Sequence, residues 1–177
     1  MSTRQRHQRG INLIELLVTI SIATTSLTVG VPSFQGLRIS QDRSSAIIEL
    51  VSAVRLARSE AALRGTPASI CASSDGSTCG TSAATDWSSG WLVFRDEDGD
   101  AALDETDLVV KTVQFSNPQF TLTADSQLGS GITFRQFGYP RASQAGGNFA
   151  YADARASRCV NLTYIGRLNV ADEACAQ

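Results

Sequence analysis

Histidine and lysine are almost missing from this 177-residue chain: His7 and Lys111 are the only one of each. With no histidine after residue 7, the rest of the chain lacks the ordinary general base that activates a serine or cysteine nucleophile. A phosphate-cradling glycine loop is missing as well. The four cysteines, Cys71, Cys79, Cys159 and Cys175, contain no C-x-x-C knuckle, which argues against structural zinc. An excess of basic charge is also lacking, since 15 Lys+Arg stand against 17 Asp+Glu for a formal net charge of −2. That balance excludes a surface that is as a whole an electrostatic trap for nucleic acid and leaves only a local basic patch open. The expectation is a protein that is not an enzyme, has no catalytic residues and needs no cofactor.

What is present is a long apolar run. From Ile11 to Val31 the only charged side chain is Glu15, and as a helix the run is about 31 Å long, enough to cross a bilayer. Arg4, Arg6 and Arg9 precede it with no acid among them, which keeps this end in the cytoplasm and sends everything after Val31 outside. A secretory signal peptide or plain anchor would share these features. Neither accounts for Glu15, because a carboxylate in hydrocarbon costs about 2.5–3.5 kcal/mol even on the lenient insertion scale and calls for a partner. Thr28-Val29-Gly30-Val31-Pro32 is also a poor small-residue cleavage site.

Arg9-Gly10-Ile11, followed by Glu15, resembles the class III signal of type IV prepilins and type II secretion pseudopilins. The resemblance implies that a prepilin peptidase cuts between Gly10 and Ile11 and methylates the new N-terminus, while the helix is kept. Glu15 would then be the fifth mature residue and would pair with a terminal amine in a filament. The implied layout is a leader over 1–10, a transmembrane helix half over 11–31, and a periplasmic head over 32–177. Ile11 replaces the phenylalanine usual at the first mature position, and Pro32 falls where such helices often kink.

About 140 residues remain for the head, enough for one core. Ile47, Leu50, Val51, Val54, Ala57 and Ala61 recur at helical spacing, with Glu49, Arg55, Arg58 and Ser59 mostly off the stripe, so an amphipathic helix runs to about residue 64 and stops at Gly65 and Pro67. Short β-type runs follow at Ala68–Ala72, Gly90–Arg95, Leu108–Phe115, Phe120–Ala124, Gly131–Phe134, Phe149–Ala152, Arg158–Thr163 and Arg167–Val170. The fold class is α+β, one long N-terminal helix laid on antiparallel β-sheet. The cysteines lie in an oxidising compartment on this topology. Of three connectivities, the two sequence-local pairs, Cys71–Cys79 and Cys159–Cys175, are favoured because each closes a short turn-rich loop.

Two stretches carry candidate binding chemistry. Asp96, Asp98, Asp100 and Asp104, with Asp107 after them, form a carboxylate density that a divalent ion would relieve, and calcium is the natural candidate for oxygen ligands. Measured against an EF-hand, Gly99 is fourth rather than sixth and Asp107 rather than glutamate is twelfth; the plainer alternative is a solvated acidic hairpin with Gly99 at positive φ. In the C-terminal quarter, Arg135, Arg141, Arg155, Arg158 and Arg167 outnumber the acids, and Tyr139, Tyr151 and Tyr164 are available to stack on bases.

Cys71-Ala72-Ser73-Ser74-Asp75-Gly76, Trp87-Ser88-Ser89-Gly90-Trp91 and the acidic run after Arg95 are similar to the GspH/FimT/FimU group, comprising the type II secretion pseudopilin H and minor type IV pilins. The type IV pilin fold follows from that resemblance. So do its partners: other pilins or pseudopilins, the prepilin peptidase and an inner-membrane assembly platform. The implied location is the bacterial inner membrane, single-pass, and then a pilus or pseudopilus. FimT-like members imply a further partner, DNA taken up in natural transformation through a Gly-Arg-x-Arg motif. Here the matching residues are Gly166-Arg167-Leu168-Asn169, with Asn169 in place of the second arginine. Trp87 and Trp91, four residues apart, are expected to face one side of a strand and to pack in the core or on the sheet surface rather than stack on a ligand.

Overall fold

In a computed structural model, residues 12–81 and 85–175 are described, with side chains of 28–44 left aside. Gly10 and Ile11 therefore lie outside the described residues. The chain divides into two units, Met1–Gln41 and Asp42–Gln177. A single helix, α1 (Leu13–Arg64), belongs to both, and its backbone remains helical through Pro32. The Asn12 carbonyl takes the first N–H groups, from Glu15 and Leu16, and Glu15 sits in the first turn, where a carboxylate suits the helix dipole. At the other end Gly65 adopts φ 71 and donates to the Ala61 carbonyl, a left-handed C-cap.

In the second unit the expected stripe is the buried face. Ala46, Leu50, Ala53, Val54, Ala57 and Ala61 are at most 1% exposed. Four of these six are alanines, so the helix backbone approaches the sheet closely and leaves room for large aromatics from the strands. The strands are β1 (Ala68–Ala72), β2 (Gly90–Arg95), β3 (Leu108–Gln114), β4 (Phe120–Ala124), β5 (Gly131–Phe134), β6 (Asn148–Asp153), β7 (Ser157–Leu162) and β8 (Leu168–Ala171).

They form two antiparallel four-stranded sheets, ordered β3-β2-β1-β5 and β4-β6-β7-β8. β4 leaves for the second sheet and β5 returns to pair with β1, Ala68 opposite Phe134 and Cys71 opposite Gly131. The second sheet is stitched to the first through the segment before β2: Trp87 N–H donates to the Leu122 carbonyl, and Leu122 N–H to Ser88 Oγ. One hydrophobic core takes residues from α1 and both sheets. Along it runs a chain of aromatic contacts, Phe149–Trp87–Trp91–Phe115–Phe120–Tyr151, with centroids 5.0–6.5 Å apart.

β1 is buried on both faces. Ala68, Ile70 and Ala72 join the main core, whereas Cys71 packs with Leu92 and Phe94 in a second small cluster. Cys79 and Leu103 cover that cluster, so the loops following β1 and β2 both fold over it. Cys71–Cys79 and Cys159–Cys175 are disulfide-bonded, the two sequence-local pairs.

Candidate functional site

Three places carry chemistry that packing alone does not use. The first is the start of α1. Leu13, Ile14, Leu16, Leu17, Val18 and Ile20 are 50–80% exposed among the described residues, an apolar helix surface. Its hydroxyls are satisfied within the helix: Thr19, Ser21, Thr24 and Thr25 donate to carbonyls three or four residues back. That arrangement suits an apolar medium, where backbone and hydroxyl groups find no water. Glu15 is the exception, exposed and with no ion pair among the described residues. Among the described residues no helix is long and apolar enough to cross a membrane; the apolar stretch with described side chains, 13–27, is about 22 Å long.

The second place is the loop from β2 to β3. Asp96 directly follows β2 and is fully buried, its Oδ2 accepting from Ser69 Oγ and from Ala101 N–H. Burial pushes its carboxyl above the ordinary carboxylate range, opposed by the Ser69 hydroxyl and the Ala101 and Gly99 amides and reinforced by the Asp107 charge. One carboxylate oxygen from each of Asp96, Asp98 and Asp100 lies within 4.8 Å of the others. Asp104 is not brought into that group, because its Oδ1 accepts from the hydroxyl and N–H of Thr106, which hold it below the usual range. Gly99 has φ 76, the positive value the hairpin alternative requires.

The third place is a groove of about 290 Å³ beside the turn from β7 to β8. Thr163 Oγ1 accepts the Arg167 N–H at 2.9 Å, closing this turn, and Gly166 sits at its bend with φ 75. A Cβ on Gly166 would stand 3.0 Å from Phe134 and 3.1 Å from the Gly138 carbonyl, so the close approach requires glycine. Arg167 meets Arg55 and Arg58 of α1 in this groove, and none of the three has an ion-pair partner among the described residues. In sequence, Arg55 and Arg58 stand off the apolar stripe and belong to no candidate site. Their spacing of three, which puts both on one helix face, was the available signal.

The other candidate arginines lie elsewhere. Arg158 pairs with Asp172 at 2.7 Å, and exposed Arg155 sits in the β6–β7 turn, its N–H held by Asp153 Oδ1. Tyr139 and Tyr164 are exposed, but Tyr151 is 1% exposed and stacked on Phe120. Its phenol ring belongs to the core and is unavailable to a base.

A long N-terminal helix with a bare apolar start, packed through alanines onto antiparallel sheets stapled by disulfides, defines the type IV pilin fold. The family model for type II transport protein GspH matches residues 46–166, and the chain belongs to that family. Among solved structures it is similar to the type IV minor pilin FimU of Pseudomonas aeruginosa strain PAO1, with a TM-score of 0.53 and 21% identity over 72% of this chain and 87% of that one. A second crystal form of the same protein gives a TM-score of 0.49 at 20% identity, covering 72% of this chain and 91% of the other. No curated protein sequence matches the chain.

Proposed function

We propose that this protein is a minor pilin or pseudopilin made as an inner-membrane precursor, cut between Gly10 and Ile11, and drawn into a pilus or pseudopilus by the start of α1. The observation that supports the reading is the bare apolar helix surface with Glu15 its one charge. Such a surface requires a cover, first lipid and then the helices of other subunits. Release of the Ile11 amine supplies the cation that Glu15 lacks, and a paired carboxylate and ammonium are tolerated in low dielectric where a lone carboxylate is not. The role is structural.

Glu15→Ala is the test, read as the share of the protein recovered in sheared filaments relative to the membrane. Incorporation is expected to fall at least tenfold. Incorporation equal to wild type refutes the pairing, and mass spectrometry showing a start other than Ile11 refutes the processing. Deletion separates the machines, since a pilus subunit costs surface pili and a secretion subunit costs exported protein.

A second reading is supported by the arginine groove. Three guanidinium groups without an acid around one opening suit the phosphates of DNA. A salt-titrated gel shift tests it. Arg55→Gln, Arg58→Gln and Arg167→Gln should each weaken binding and lower the salt slope by about 1; binding unaffected by all three refutes this reading.

A further inference from the structure

The loop joining β2 to β3 contains an oxygen that the fold buries and leaves bare. Asp96 is 0% exposed, and while its Oδ2 has two donors, its Oδ1 is buried without a hydrogen-bond partner. A carboxylate oxygen taken out of water requires a donor or a cation. Its neighbours are more acids, Asp98 and Asp100, each with an oxygen inside the same 4.8 Å group. No lysine or arginine pairs with any of them among the described residues. One Asp96 oxygen lies in that group, and Oδ1 is the one without a donor.

We propose that residues 96–107 form a calcium-binding loop with Asp96, Asp98 and Asp100 as its side-chain ligands. Counted from Asp96, the three aspartates hold positions 1, 3 and 5 of a twelve-residue loop, the Ala102 carbonyl position 7, Asp104 position 9 and Asp107 position 12. These are the positions from which an EF-hand loop supplies its oxygens. Position 6, reserved for glycine in that motif, is Ala101, which nevertheless adopts φ 73, the left-handed conformation glycine provides. Its N–H is the one that closes on Asp96 Oδ2 at 3.0 Å.

The rest of the loop is arranged in the same sense. Asp98 Oδ1 accepts from Asp100 N–H and Asp100 Oδ1 from Ala102 N–H, which turns both carboxylates back onto the loop. Asp107 closes the ring by accepting from Glu97 N–H and Asp104 N–H. Leu103, at position 8, packs on Cys71, Leu92 and Phe94 and anchors the loop to the first sheet. Strands flank this loop where an EF-hand has helices. A set of many flexible oxygens suits calcium, whereas magnesium demands a tight octahedron and keeps its waters.

The experiment is calorimetric titration of calcium chloride into the full chain in detergent micelles, with thermal melts alongside. One calcium per chain is expected, with a Kd of about 10⁻⁴–10⁻³ M, the range of extracellular calcium modules. Tm should rise by several degrees at about 10 mM calcium, beyond the rise given by equal magnesium. Asp98→Asn with Asp100→Asn, both at exposed positions, leaves the buried Asp96 network in place and should weaken binding at least tenfold. No heat and no change in Tm overturns the proposal and leaves Asp96 Oδ1 to hold a proton. An equal response to magnesium, or an unchanged response in the double variant, overturns it too, the first as charge screening and the second as binding elsewhere.

Discussion

Removal of the Cys159–Cys175 bond should reveal how the C-terminal edge is held. The link joins residues 16 apart, and the loop-closure entropy of a ring that size amounts to about 3 kcal/mol at 25 °C. The same reasoning gives about 2.5 kcal/mol for Cys71–Cys79, whose separation is 8. For a head of this length, 3 kcal/mol corresponds to a fall in Tm of about 10 °C. Local burial sharpens the expectation. β8 is an edge strand in which Asn169 and Val170 are exposed and only Leu168 packs against the core. Beyond its pairing with β7, the strand is secured by the disulfide and by the Arg158–Asp172 pair, which is too exposed to contribute more than about 1 kcal/mol. Cys159→Ala with Cys175→Ala should therefore lower the unfolding free energy in denaturant titration and, in the same protein, strip hydrogen-exchange protection from 168–171 before any other strand. A double variant that keeps both its stability to within 1 kcal/mol and the protection of β8 refutes the reasoning.

Two further outcomes follow from the first sheet. A Cβ at Gly90, where φ is 140, would stand 2.1 Å from the Val113 carbonyl, so Gly90→Ala should cost about 3 kcal/mol or more by forcing β2 and β3 apart, read as the fall in Tm. Asp75 accepts from the N–H groups of Ser77 and Thr78 and from the Thr78 hydroxyl, which hold its carboxyl far below the ordinary 3.8. Because the folded value is depressed, its stabilisation is fully present above about pH 4 and is lost as pH falls toward the folded value. The Tm gap between wild type and Asp75→Ala should accordingly be widest at neutral pH and narrow below pH 4; a gap that widens in acid contradicts the assignment.

Strand positions were legible where β-branched and aromatic residues run between turn formers, as in Phe120-Thr121-Leu122-Thr123-Ala124 between Pro118 and Asp125. The division into two sheets was not. It depends on Ala68 meeting Phe134 across 66 positions, and nothing local in either strand names its partner. The acidic loop divides similarly. Its carboxylates were plain in sequence, whereas the burial of Asp96 depends on Ser69 and Thr133 arriving from two other strands, and Ala101 taking a glycine's conformation runs against residue preference. The arginine groove needed α1 to be laid beside a turn more than a hundred residues later. Glu15, by contrast, was visible at once, since a single acid in an uncharged run requires no tertiary information.

The aromatic chain through the head has a practical consequence. Both of the protein's tryptophans, Trp87 and Trp91, sit fully buried in it, 6.5 Å apart and in contact with Phe149 of the second sheet and Phe115 at the end of the first. All indole emission therefore originates at the seam between the sheets, so the protein reports on its own interior without a label: separation of the two sheets should redden that emission at once, while events confined to the first turns of α1 should leave its colour unchanged.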